Sequence, residues 1–194
     1  MTGPDALARG FPRRTLRADA VLYRVHRTRS GCWWFSDDGS GRFDPVGTGM
    51  GACYFAAAPL GAFIEVFRKR MTIAEAEIAE RSLSAVTLGR PVRLADITSR
   101  RALGFGVSAD LGSGPDYGPS HAFAARAVAA GFAGVRYLAR HDPAQRSASV
   151  ALFAAPGAPD PGDPAWPPAR TAPIPPSLID DATRFFGYRV LPEP

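Results

Sequence analysis

The 194-residue sequence predicts a single α+β domain, and three observations lead there. Short runs of β-branched and aromatic residues, such as Ala20 to His26 (AVLYRVH), recur at strand length. Between them lie segments with apolar residues at helical spacing, Leu60, Phe63, Ile64 and Phe67 above all. The glycine-rich stretch Gly104 to Gly118 contains Gly-Phe-Gly but lacks the strand-turn-helix setting of a dinucleotide fingerprint, which excludes a Rossmann-type sheet. With 46% hydrophobic residues, a chain of this length can bury one substantial core.

Residues 1–19 have no apolar core of signal-peptide length and read as a mobile lead-in to a cytoplasmic protein. Ala20 to His26 is the first core strand. Arg24 lies inside it, and a cation there needs an anionic answer, either a carboxylate or a ligand phosphate. Thr28 to Gly41 is a loop carrying Trp33, Trp34 and Phe35 in succession. These either offer a stacking surface for a base or nicotinamide ring, or pin the loop to the domain or to a dimer contact.

Gly39, Gly41, Gly47, Gly49 and Gly51 then make a loop that lets a ligand approach the backbone closely, with Arg42 set in it. Ala52 to Ala56 is a short strand carrying Tyr54. Pro59 sits in the first turn of the helix that follows. Glu65 falls off the buried stripe of that helix, so it can look sideways into a cleft.

Thr72 to Ser82 reads as a helix opening with a capping box, Thr72 with Glu75, and with Glu75, Glu77 and Glu80 facing solvent. Val86 to Leu88 and Val92 to Leu94 are strands separated by a turn, and Asp96 and Thr98 start a short helix ending near Gly104. Pro119 to Ala130 is an alanine-rich helix stopped by Gly131. At its start Ser120 is either a helix cap or part of an anion site, and His121 is either structural or a partner for a ribose or phosphate. Gly134 to Ala139 and Ser149 to Ala154 are paired strands that close the sheet. Pro156 to Pro176 is proline-dense and must be extended, as a linker or a strap lying on the domain. The tail, residues 177–194, holds a short helix and a strand that dock back on the core or onto a second subunit as a homodimer.

Composition narrows the ligands. No apolar run approaches the roughly 20 residues a bilayer requires. Cys32 and Cys53 make neither a disulfide framework nor, with histidines, a zinc site, so no metal is expected. The net charge of +5, almost wholly from arginine, favours a polyanion, and a nucleic acid and a dinucleotide both qualify. Against nucleic acid stand the lack of a helix-turn-helix pattern, a basic helix or an RNP-like aromatic strand.

The Gly41-Arg42-Phe43 step, the Tyr54-Phe55-Ala56 step about a dozen residues on, and Glu65 in the following helix together resemble the RES domain family. Leu22-Tyr23-Arg24 is similar to the family's opening strand. Gly131 to Pro143, followed by a strand ending Ala151-Leu152-Phe153, resembles its close. The similarity covers roughly residues 20 to 155, which the resemblance marks as the catalytic domain. Many members carry a serine in a Tyr/Val-x-Ser step where this chain has Tyr137-Leu138-Ala139; others use a serine near the start of the preceding helix, which points to Ser120.

The resemblance implies an ADP-ribosyltransferase-like fold, a split and mostly antiparallel sheet with flanking helices. It implies NAD as substrate, cleaved at the nicotinamide–ribose bond by hydrolysis or phosphorolysis in toxins of toxin-antitoxin pairs, with ADP-ribosyl transfer to a protein or small-molecule acceptor as the alternative. Glu65 would stabilise the cation that develops on the ribose, Arg24 and Arg42 would grip the pyrophosphate, and Tyr54 would meet the nicotinamide or its ribose, with Ser120 and His121 as further contacts. A cognate antitoxin is the partner that follows.

Overall fold

A computed structural model of the chain describes Leu7, residues 10–68 and residues 70–192. Its strands are β1 (Arg13–Leu16), β2 (Val21–Arg27), β3 (Gly51–Ala56), β4 (Thr72–Ala74), β5 (Arg81–Thr87), β6 (Val92–Asp96), β7 (Gly134–Leu138), β8 (Ala148–Ala154), β9 (Arg170–Pro173) and β10 (Arg189–Leu191). The α-helices are α1 (Pro59–Phe67), α2 (Glu75–Ala79), α3 (Ala109–Ser113), α4 (Gly118–Ala129) and α5 (Pro176–Phe186). Eight strands form one sheet in the order β1-β6-β7-β8-β3-β2-β5-β9, antiparallel throughout except between β6 and β7. The α+β class is as the sequence predicts. Among the described residues no helix is long and apolar enough to cross a membrane.

The sheet is split at its middle. β2 and β3 are joined by the single pair Tyr23 and Ala56, whereas β2 pairs with β5 along its whole length and β3 does so with β8. The loop residue Ser36 bridges to Ala52 instead, holding the start of β3 away from β2. Gly51 permits that crossing, because a Cβ there would stand 2.7 Å from the Phe35 carbonyl oxygen.

Three apolar clusters flank the split. Phe11, Phe43, Phe123, Phe132 and Val135 fill the space under α4. Leu22, Trp33, Phe35, Phe55 and Leu152 pack on the opposite face. Val25, Phe63, Ile64, Phe67, Leu178 and Tyr188 join α1 to α5. Helix α1 begins at Pro59, whose missing N–H would have no partner in a first turn, and its stripe of Phe63, Ile64 and Phe67 is fully buried. Truncating Phe63 to Ala would cost about 3–5 kcal/mol.

Several expectations are corrected. Residues 13–16 form edge strand β1 on β6, and Phe11 and Leu7 are buried, so the lead-in is anchored; residues 1–6, 8 and 9 lie outside the described residues. Thr72 opens no capping box, because β4 pairs in parallel with β10 and the helix starts only after Ala74. β5 begins at Arg81, inside the stretch expected to be helical and well before Val86, and four strands separate it from β6 in the sheet. β7 and β8 sit at the centre of the sheet instead of closing it. The proline-rich strap lies on the domain: Trp166 stacks edge-on against Trp33 and Phe35, and β9 adds to the edge of β5. In the tail Leu178 is buried, but Phe185 is 61% exposed.

Candidate active site

Where β2 and β3 part, a cavity of about 300 Å³ opens, lined from β2, β3, the 36–44 loop, α1 and residues 137–141. The loop is held by a carboxylate that sequence reasoning missed. Asp44, 1% exposed, accepts the Gly41 amide at 2.8 Å and the Tyr54 hydroxyl at 2.6 Å. The same Tyr54 oxygen accepts the Phe43 amide at 2.9 Å. A Cβ at Gly41 would overlap both the Tyr54 hydroxyl and the Asp44 carboxylate, so only glycine admits this closure. Burial pushes the Asp44 carboxyl up and, with Asp44 alongside, the Tyr54 phenol well above its ordinary range. Tyr54 therefore works chiefly as a clamp: its hydroxyl already serves Asp44 and Phe43.

The clamp aims Arg42. Its guanidinium is buried, lies 4.4 Å from the centre of the Tyr117 ring, and donates through Nη2 to the Gly114 carbonyl at 2.7 Å. Its Nη1 is buried with no hydrogen-bond partner among the described residues. Burial, and after it the Arg140 and Arg68 charges, make this cation costlier than an exposed one. An unanswered N–H of this kind is what an incoming anion would satisfy.

Across the cavity Glu65 projects from α1, off the buried stripe as its spacing predicts. Its Oε2 accepts Arg68 Nη1 at 2.9 Å, one turn along the helix. Burial pushes the Glu65 carboxyl up, while Arg68 first and then Arg42 and Arg140 pull it down. Tyr137 is buried beside it, its phenol raised well above the ordinary range by burial and by Glu65. His141 completes the wall. Burial, Arg68, Arg140 and Arg42 lower it to about 4, so its imidazole is neutral near pH 7.

The structure thus brings Arg42, Tyr54 and Glu65 to one cavity. Arg24 borders that cavity, but its Nη1 donates to the Cys32 carbonyl at 2.6 Å and sits against the Cys53 thiol, so this half-buried cation is answered by main chain and, among the described residues, by no carboxylate. Ser120 is a correction. It is fully buried, donates to the Leu111 carbonyl at 2.7 Å and does not reach the cavity wall. The helix starts earlier, at Gly118, whose amide is capped by the Asp116 carboxylate at 2.9 Å, leaving Ser120 inside the first turn against α3. His121 is also off the wall; its Nε2 lies 2.8 Å from the Gly41 carbonyl oxygen, to which it donates, tying α4 to the loop of Arg42.

Arg68 was legible as a partner three residues from Glu65 on one helix face. Nothing local marked Asp44, Tyr117, Arg140 or His141. Among the described residues no group of three or more His, Cys, Asp and Glu side chains is gathered as a metal site. The chemistry on offer is charge: guanidinium groups to bind an anion, beside one carboxylate to face a developing cation.

The RES domain model matches residues 21–171 of the sequence. None of the curated proteins matches. Among solved structures, a chain from the crystal structure of the M. tuberculosis MbcT-MbcA toxin-antitoxin complex shares the fold, with a TM-score of 0.67 at 18% sequence identity over 86% of this chain and 90% of that one.

Proposed function

The chain belongs to the RES domain family, and on that premise we propose that it cleaves NAD at the bond between nicotinamide and ribose. The observation that carries the reading is that Arg42 and Glu65 line one cavity, with Arg42 Nη1 buried and without a hydrogen-bond partner among the described residues. Arg42, with Arg68 and Arg140, binds the phosphate on the nicotinamide side and fixes the reacting ribose. The C–N bond breaks with its electron pair leaving on the nicotinamide nitrogen, which discharges the pyridinium. Positive charge appears on the ribose, and Glu65 stabilises it until water or phosphate adds to the sugar carbon. The fixed field does the work without a nucleophilic side chain.

Purified protein incubated with NAD should release nicotinamide, and Glu65→Gln should lower kcat by about 100-fold or more. Equal release from both proteins would remove Glu65 from the reaction. In the cell, the reading makes the chain a toxin restrained by a cognate antitoxin, as in the solved MbcT-MbcA toxin-antitoxin complex. Growth arrest on induction, abolished by Glu65→Gln, tests that role.

A second reading is transfer of ADP-ribose to a protein or small-molecule acceptor. Ala139, standing where the resemblance puts a serine in many members, favours it, since a chain without that hydroxyl would use an altered nucleophile. NAD labelled in its adenylate half would then leave label on the acceptor instead of in free ADP-ribose.

A further inference from the structure

A second cavity, of about 510 Å³, shares Arg24 and Val25 with the first and runs along β2 toward the 29–34 loop. Its described wall carries Arg24, Arg27, Arg29 and Arg81 and no acidic residue. Arg27 stands directly opposite Arg81 in the β2–β5 register, a like-charge pair that destabilises a sheet unless an anion lies near it. Arg81 Nε is buried without a hydrogen-bond partner among the described residues, and the Glu77 carboxylate, 3.6 Å from Arg81 Nη2, is shared with Arg70. Trp34 stands at the same cavity, 50% exposed, while its neighbours Trp33 and Phe35 are buried against Trp166. Two of the three adjacent aromatics thus pin the loop, and the third is free.

We propose that this second cavity takes the adenylate end of the dinucleotide, with the base stacked on Trp34 and the phosphate held by Arg27, Arg29 and Arg81. The proposal rests on the NAD reading above. An exposed indole lining one cavity with four arginines matches a base joined to a phosphate. The first cavity alone is at the small end of the roughly 300–1,000 Å³ range of small-molecule sites, so a dinucleotide reacting there needs a second compartment. The pyrophosphate would then cross the wall shared at Arg24 and Val25, with one phosphate on either side.

Adenosine monophosphate is the direct probe, because it asks about the second cavity without any turnover. Calorimetric titration should show it binding the wild-type chain, about ten-fold more weakly to Trp34→Ala and likewise to Arg29→Ala. Both side chains are exposed, and unchanged thermal midpoints would show that the variants fold. No binding to wild type, or equal binding to all three proteins, overturns the proposal. An oligoadenylate of eight nucleotides binding ten-fold more tightly than the mononucleotide overturns it in favour of a nucleic acid. In turnover, the ratio of kcat/KM for NAD to that for nicotinamide mononucleotide should fall about ten-fold in both variants. An unchanged ratio overturns the proposal. If wild type cleaves neither substrate, the NAD reading fails separately, and the mononucleotide titration still decides the cavity.

Discussion

Replacing Tyr54 by phenylalanine removes one oxygen and leaves two groups without it. The Phe43 amide loses the acceptor it meets at 2.9 Å, and Asp44 loses the hydroxyl it meets at 2.6 Å. Leaving a buried amide unanswered costs about 1–3 kcal/mol, and a hydrogen bond to a charged group contributes about 1.5–3 kcal/mol. Asp44 is 1% exposed, so water does not readily replace the phenol. The sum is roughly 2.5–6 kcal/mol, which in a chain of this size lowers the melting midpoint by on the order of 10 °C. Urea unfolding followed by tryptophan fluorescence should show a lower midpoint with an unchanged slope. A cycle with Asp44→Asn should return a coupling of about 1–3 kcal/mol. The loop carrying Arg42 loosens at the same time, so NAD turnover falls with stability. If Tyr54→Phe melts within about 2 °C of wild type yet loses turnover, the hydroxyl serves the substrate and the clamp assignment is wrong.

The remaining predictions concern charge and space in the same cavity. Arg42→Met removes a buried cation whose Nη1 has no partner, so its stability should stay within about 1 kcal/mol of wild type while kcat/KM for NAD drops by about 100-fold; a large loss of stability would mean that Arg42 is a structural residue. His141 binds its proton near pH 4 in the folded chain and near 6.5 when unfolded, so between those values the unfolded state holds more protons. Stability should therefore be fully present above pH 6.5 and fall as pH drops toward 4, by on the order of 1–2 kcal/mol after allowance for solvent screening. His26, also lowered by burial, acts in the same direction, so His141→Asn should flatten the dependence without abolishing it, and an unchanged profile would contradict the assignment. Gly41→Ala cannot close on Asp44 and should lose both stability and turnover, which circular dichroism melts and nicotinamide release would follow together.

Patterns local to the chain were readable where burial and periodicity coincide. α1 buries Phe63, Ile64 and Phe67 at helical spacing, and Glu65 stands off that face as its position implies. β5 was hidden because its inward positions include Ser82 and Ser84, small polar residues buried through hydrogen bonds to Thr28 and His26. Their alternation is one of polarity satisfied, not of apolar and polar type. Thr72 carried a sound helix signal that lost to pairing with Arg189, more than a hundred positions away. The same limit applies to the site. Asp44 and Tyr54 meet through the fold of the loop, and Arg42 finds Gly114 and Tyr117 only once α4 is packed. A single sequence marks which side chains are chemically able, and long-range closure decides which are already engaged. Ser120 shows the difference: a plausible anion contact by position, it is consumed by the Leu111 carbonyl.

The strap has a practical consequence for anyone choosing expression boundaries. The abrupt change of composition at residue 156 invites truncation there, yet the Trp33 indole donates to the Pro167 carbonyl at 2.9 Å and Ile174 is part of the core. A fragment stopping at 155 would strip the cover from Trp33 and Phe35 and leave the margin of β5 unpaired. Such a fragment should be prone to precipitate, and its inactivity would say nothing about the residues around Glu65.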